Sequence, residues 1–274
     1  MHASRVRGVA DLEAAEFQVF SQFGEDGIIQ WLVDRTPLGE RTFVEFGVEN
    51  YREANTRLLV EMDDWCGLVI DSSDRHQRFL EESGIAWRHT VVTRTAFLTT
   101  ENLNAVIGEA GFSGDIDLVS IDVDGMDYWM LESLSIVSPR ILIVEYNSLF
   151  GPDACVTVPY APRFDRTTAH YSTLYFGASI RALTELAAAK GYALVGGNSA
   201  GTNAFFVRRD VLGDTRQQSP STAWRQSRVR QARDEAGELT YLSSGAEQRR
   251  LIAECPLLDL ATGCETTVAR AIGS

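Results

Sequence analysis

Lysine is almost missing from this chain. Lys190 is the only one among 25 basic residues in a length of 274, so Schiff-base chemistry would have that single side chain to use. Its place in Ala187-Ala188-Ala189-Lys190-Gly191 reads instead as the cationic end of a helix before a glycine stop. Cysteine is sparse too: Cys66, Cys155, Cys255 and Cys264 lie far apart with no C-x-x-C pair. That spacing excludes a zinc ribbon and gives no sign of a disulfide frame. No apolar run approaches the roughly 20 residues that span a bilayer, and residues 1–16 are charged, without the apolar centre of a secretory signal. The expectation is a cytoplasmic protein with no membrane partner. Positive charge is in deficit, 25 Lys and Arg against 38 Asp and Glu, for a net charge of -13 and a pI near 4.8. Such a balance disfavours nucleic acid and anionic membrane surfaces. A small or cationic substrate fits better.

What is present is a regular α/β alternation. With 45% hydrophobic residues the chain can bury one core, or one core with an appendage. Strands are expected at 42–47, 66–71, 87–92, 118–121, 141–144, 192–195 and 204–208. Helices are expected at 20–33, 55–62, from 72 through 80, at 100–110 with Thr100 as cap, at 129–134 and at 179–190. The short join 196–203, rich in glycine and asparagine, suits a hairpin and makes the last strand antiparallel. The predicted fold over residues 1–211 is therefore an α/β, Rossmann-like, mainly parallel sheet with helices on both faces and an antiparallel last strand. Residues 212–274 change character and are expected as a C-terminal helical extension.

Two predicted strands end in groups able to bind metal or move protons. Leu118-Val119-Ser120-Ile121 runs into Asp122-Val123-Asp124-Gly125, and Ile141-Leu142-Ile143-Val144 into Glu145-Tyr146-Asn147. Neighbouring parallel strands bring such ends to one crevice, where open α/β sheets bind ligands. Asp after a strand is ordinarily a cap or a solvated loop residue, but two adjacent ends carrying acids together favour a site. Hard oxygens of this kind suit magnesium, calcium or manganese. The metal-free state is the expected one, because Asp122 and Asp124 point to opposite faces if the strand continues through them. The first strand ends at Glu45-Phe46-Gly47 and the second at Asp71. An acid there is where Rossmann-like folds grip a ribose diol, and Gly47 would admit a ligand close to the backbone. The dinucleotide pattern G-x-G-x-x-G is absent.

Four segments together, Ser21-Gln22-Phe23-Gly24-Glu25-Asp26, Val44-Glu45-Phe46-Gly47, Leu68-Val69-Ile70-Asp71 and Ile121-Asp122-Val123-Asp124-Gly125, resemble class I S-adenosylmethionine-dependent methyltransferases. They look closest to bacterial FkbM-like members that modify sugars and natural products. The resemblance covers about residues 20–210. It implies S-adenosylmethionine as cofactor, with methionine-end contacts near Glu45, Gly47 and Glu49, ribose contact at Asp71, and Asp122 between cofactor and reaction rim. The rim itself would be Asp122, Asp124, Glu145 and Asn147. Some members of the wider fold hold magnesium at these strand ends, which would make Asp122, Glu145 and Asn147 the ligands. Where the family's first loop has its second and third glycines, this chain has Glu49 and Tyr51. Their side chains are expected to crowd the cofactor's approach. Two alternatives follow: a cofactor-independent natural-product enzyme catalysing an internal displacement, such as the ring closure that makes an aziridine, or a non-catalytic binding or scaffolding subunit.

Residues 151–173 are too long and too proline-rich for a plain connection and are expected as an ordered lid over the crevice. His170 on it is a candidate general base, although a histidine in an aromatic loop is more often a packing residue. His76 and His89 are expected at a helix surface and a strand edge. Trp224, Val229, Leu239, Tyr241, Leu242 and Leu251 give the extension apolar surface needing cover. Association between copies, or with a different protein, is therefore expected through residues 212–274. The identity of the substrate is not encoded in these signals.

Overall fold

The computed structural model describes Val6 and residues 8–273. Residues 1–5 and Arg7, part of the charged amino-terminal stretch, and Ser274 lie outside the described residues. The chain alternates α1 (Glu25–Arg35), β1 (Thr42–Phe46), α2 (Arg57–Asp63), β2 (Cys66–Asp71), α3 (Arg75–Glu82), α4 (Ile85–Arg88), β3 (Val91–Thr95), α5 (Leu103–Glu109), β4 (Gly114–Ile121), α6 (Asp127–Ser133) and β5 (Val137–Glu145). The lid segment carries β6 (Val156–Thr157) and α7 (Arg166–Ala169), and α8 (Ile180–Ala189) leads to the hairpin of β7 (Tyr192–Gly197) and β8 (Asn203–Arg208). After it come α9 (Pro220–Ala223), α10 (Gly245–Leu251), β9 (Pro256–Asp259), β10 (Cys264–Thr267) and α11 (Val268–Ile272).

Seven strands form one sheet in the order β3-β2-β1-β4-β5-β8-β7. Pairing is parallel from β3 through β5, and β8 lies antiparallel between β5 and β7. This is the expected Rossmann-like sheet with its antiparallel last strand. Strand parity sorts the core into two layers. Val44, Val119, Leu142 and Phe206 face the layer of α5, α6 and α8, while Phe43, Leu118, Ile141, Ile143, Phe205 and Val207 face the layer of α1, α2 and α3. Each large side chain fully buried this way contributes about 1.5–3 kcal/mol. The same parity has a consequence for chemistry: Glu45 on β1, Glu145 on β5 and Asn203 on β8 all fall on the α1 side of the sheet.

Local chemistry shifts several boundaries from the predicted ones. α1 starts at Glu25 rather than residue 20, because the Asp26 carboxylate accepts from the backbone N–H groups of Val19, Phe20 and Ser21 at 2.7–2.8 Å and winds that stretch into a loop. The third strand lies at Val91–Thr95; Trp87, expected in it, is 88% exposed on the short helix α4. Thr100 does not cap α5, since its hydroxyl donates to Tyr160 on the lid. His76 is fully buried instead of lying on a helix surface. The extension holds, besides its helices, the strands β9 and β10, which extend β6 into a second, three-stranded sheet. Four-residue strands such as these are too short to carry a readable alternation. Among the described residues no helix is long and apolar enough to cross a membrane.

Candidate functional site

The carboxyl ends of β1, β2, β4 and β5 open into one crevice of about 700 Å³. Its walls come from the loop after β1, the start of α6, the lid and the extension, which contributes Ser227, Val229, Gln231 and Gln248.

The loop after β1 keeps an unusual backbone. Gly47, Glu49 and Tyr51 all have positive φ, at 83°, 53° and 61°, a region that costs a side-chain-bearing residue about 1–2 kcal/mol. Only Tyr51 leaves the crevice; Glu49 remains in its lining. Tyr51 turns into the α1-side core, fully buried, with its hydroxyl 2.9 Å from that of Thr56. Glu49 turns outward to Arg75 at 3.2 Å. Gly47 is required by the protein itself, because a Cβ there would lie 1.2 Å from the carbonyl oxygen of Asp122. Asp71, at the end of β2, accepts from the backbone N–H of Glu49 at 2.8 Å and from that of Ser73 at 2.9 Å. It thereby ties the β1 and β2 loops together at the crevice wall.

The deep end holds the acids. Oxygens of Asp122, Asp127 and Glu145 lie within 4.8 Å of one another. Burial pushes the Glu145 pKa well up, with the charges of Asp122, Asp127 and Asp124 adding to it. Asp122 is raised in the same way, by burial and then by Asp124 and Asp127. Asp127 reaches about 6 through burial, although its oxygens accept from the N–H groups of Val123 and Gly125 at 2.9 and 3.0 Å. Glu45, buried and accepting from Asn55 N–H and from Thr56, is pushed up to about 7, chiefly by burial. Arg166 on α7 is the cation facing them. It pairs with Asp124 at 2.6 Å, donates to the Thr173 carbonyl at 3.1 Å and lies 4.0 Å over the Phe176 ring.

The expected site residues are distributed unevenly. Glu45, Gly47, Glu49, Asp71, Asp122, Asp124, Glu145 and Asn147 all line the crevice, but their roles differ. Asp124 is exposed and held by Arg166. The Asn147 amide is consumed in holding the chain: Nδ2 donates to the carbonyls of Leu174 and Phe176 at 3.0 Å, and Oδ1 accepts from Leu149 N–H at 3.0 Å. Three buried backbone groups depend on it, and one Oδ1 lone pair remains beyond the bond from Leu149. His170 does not belong to the crevice lining; its Nδ1 lies 2.8 Å from the Ser172 hydroxyl, and burial lowers its pKa. Asp127 and Arg166 were not expected. Asp127 stands two residues beyond the Asp122-to-Gly125 motif, at the start of a helix, where an acid ordinarily serves the helix dipole. Arg166 could have been suspected as a basic residue on a lid above an acidic rim.

Glycine also sets the lid. A Cβ on Gly125 would meet the Phe164 ring at 2.3 Å, so the bare backbone after β4 is what lets the lid settle over the acids. Beside them, Glu25 Oε1 accepts from the side-chain amides of Asn198 at 2.6 Å and Asn203 at 3.0 Å.

No family model matches the chain, and no curated protein matches it. Solved structures with a similar chain path include the amino-terminal domain of EvdMO1, determined in the presence of SAH and D-fucose. It aligns at 14% identity and a TM-score of 0.43, covering 68% of this chain and 82% of that one. TehB from Haemophilus influenzae aligns at 10% identity and a TM-score of 0.38, covering 66% of this chain and 60% of that one. Likeness at this level carries no functional weight.

Proposed function

We propose that this chain is an S-adenosylmethionine-dependent methyltransferase of small molecules, with the donor along the β1–β2 half of the crevice and the acceptor against the β4–β5 half. The carrying observation is the loop at 47–51, where alternate residues keep left-handed backbone while Tyr51 turns into the core and Glu49 pairs with Arg75 on the crevice wall. Strain retained at a ligand-facing turn is a mark of function. Asp71 Oδ2 keeps a lone pair for a ribose hydroxyl beyond the bond from Glu49 N–H, while Oδ1 accepts from the N–H and hydroxyl of Ser73. Met126 and Met130, at α6, also line the crevice and offer polarizable surface to a ring. When bound, S-adenosylmethionine supplies an electrophilic methyl group. The chain supplies orientation, exclusion of water by the lid, and a base: Asp122 or Glu145 accepts the acceptor's proton, and burial, which raises both, makes each carboxylate more basic. The resemblance in sequence points to a natural-product or sugar-pathway acceptor. A divalent cation is not part of the proposal.

A second reading is favoured by the acid cluster itself. Buried carboxylates held at raised pKa can activate a nucleophile for internal displacement, such as aziridine closure, with no cofactor at all. A purely scaffolding subunit gains nothing from burying these groups, which costs stability. Titration calorimetry separates the two enzyme readings. Binding of S-adenosylmethionine that is weakened at least tenfold in Asp71→Ala and less in Asp71→Asn supports methyl transfer. No heat from a folded wild-type protein favours the cofactor-free reaction.

A further inference from the structure

Two buried acceptors at the deep end of the crevice have no protein donor. Glu145 is 9% exposed and Asn203 6% exposed, and in each one side-chain oxygen, Oε2 and Oδ1 respectively, is buried without a partner. Both residues line the crevice, and they are direct cross-strand partners on β5 and β8. The orientation of Asn203 is fixed. Its Nδ2 donates to Glu25 at 3.0 Å, and turning the amide over would set its carbonyl against that carboxylate. A buried acceptor left unsatisfied is costly, so the pair calls for a ligand with N–H or O–H donors.

Charge narrows the ligand further. Asp122 and Asp127 stand within 4.8 Å of Glu145, and like charges so close in a buried site are relieved by a cation. Arg166 already interacts with Glu145, Asp124 and Asp122. That guanidinium offsets only one of the four carboxylates Asp122, Asp124, Asp127 and Glu145, so the site still favours a bound cation. Asp127 is also committed to two backbone N–H groups, so it is poorly placed to wrap a metal.

We propose that the substrate of this crevice is an amine, bound as an ammonium whose N–H groups reach Glu145 Oε2 and Asn203 Oδ1. This rests on the crevice being the reaction site and names its substrate class. An ammonium has no lone pair, so one N–H proton passes to the Glu145 or Asp122 carboxylate first. The freed lone pair then forms the new N–C bond, with the bonding pair of the broken C–S bond left on sulfur. In an internal displacement the same lone pair attacks carbon within the substrate, and the leaving group departs with its pair.

The test uses fluorine NMR of the full-length protein with 4-fluorobenzylamine and 4-fluorobenzyl alcohol, two probes alike except for the charged nitrogen. The expected result is amine binding at least tenfold tighter than alcohol binding, reduced at least tenfold in Glu145→Gln and also reduced in Asp122→Asn, with both variants folded by circular dichroism. Equal binding of the two probes, amine binding indifferent to both substitutions, or no amine binding at roughly 10 mM, the range of a few polar contacts, overturns the proposal. So does magnesium chloride alone binding at the same residues and excluding the amine. S-adenosylhomocysteine is titrated alongside. If it binds and the amine does not, the methyltransferase reading stands and the amine proposal falls. If the amine alone binds, the amine proposal stands and the cofactor-free reaction is favoured.

Discussion

At the scale of single residues, the acids of the crevice are held in a state that costs the fold stability. Glu45 titrates near 7 and Asp127 near 6, above their usual 4.5 and 3.8. The folded protein therefore binds protons that the unfolded chain has released. The resulting stability is full below the ordinary carboxylate range and is lost as pH rises through about 6–7. Thermal melts of the ligand-free protein should accordingly show a higher Tm at pH 6 than at pH 8, opposite to the trend for salt-bridged carboxylates. Glu145→Gln removes a buried charge and should raise stability at pH 8 by about 1 kcal/mol, roughly 2–4 °C in a domain of this size, while flattening the pH profile. A Tm that falls in Glu145→Gln would mean that the carboxylate has a donor and a structural role. Glu49→Gly should relieve backbone strain worth about 1 kcal/mol and leave cofactor binding intact. Loss of that binding would make Glu49 a ligand contact.

Among the elements, the lid and the segment behind it depend on two side chains. Asn147 satisfies three buried backbone groups, and at about 1–3 kcal/mol for each one stranded, Asn147→Ala should cost about 3 kcal/mol or more in chemical denaturation. A variant that kept its stability but lost activity would return Asn147 to a ligand role. Arg166→Ala removes the pair with Asp124, the bond to Thr173 and the contact with Phe176. It should speed hydrogen exchange over residues 160–176 and weaken ligand binding, and Arg166→Lys should not restore the fork. Unchanged exchange in Arg166→Ala would show that the lid is held elsewhere. The sequence reveals elements where alternation and length agree, as in β1, β2, β4 and β5, and with them the acids at their ends. It conceals what depends on three-dimensional partners. The Asn147 clamp closes on carbonyls some thirty positions away, β6 pairs with a strand about a hundred residues later, and Tyr51 turns inward only because a core lies beneath it.

On the scale of the whole molecule, the extension is part of the crevice. Trp224 donates to the Ser148 carbonyl, Ser227 N–H to the Ser148 hydroxyl, and Tyr175 to the Pro256 carbonyl. Much of the apolar surface expected to seek a partner is covered by the chain itself: Trp224, Leu242 and Leu251 pack on the core, while Leu239 and Tyr241 remain 39% and 63% exposed. We propose that those two side chains mark any contact with a second chain. Tyr241→Asp should lower the mass seen by light scattering without touching ligand binding; an unchanged mass excludes that surface. Ending the chain before Gly213 should destabilise the domain and abolish ligand binding together, because it strips β6 of its partner and opens one wall of the crevice. A truncated protein with full stability and binding would contradict that role. Whether the crevice between the 47–51 loop and Asp71 holds the methyl donor is tested most directly by a crystal grown with S-adenosylhomocysteine. The predicted result is a ribose at Asp71, the amino-acid end near Glu45 and Gly47, and the sulfur directed toward Asp122 and Glu145. A well-ordered crystal with the ligand absent from this crevice, or bound elsewhere on the protein, would contradict it.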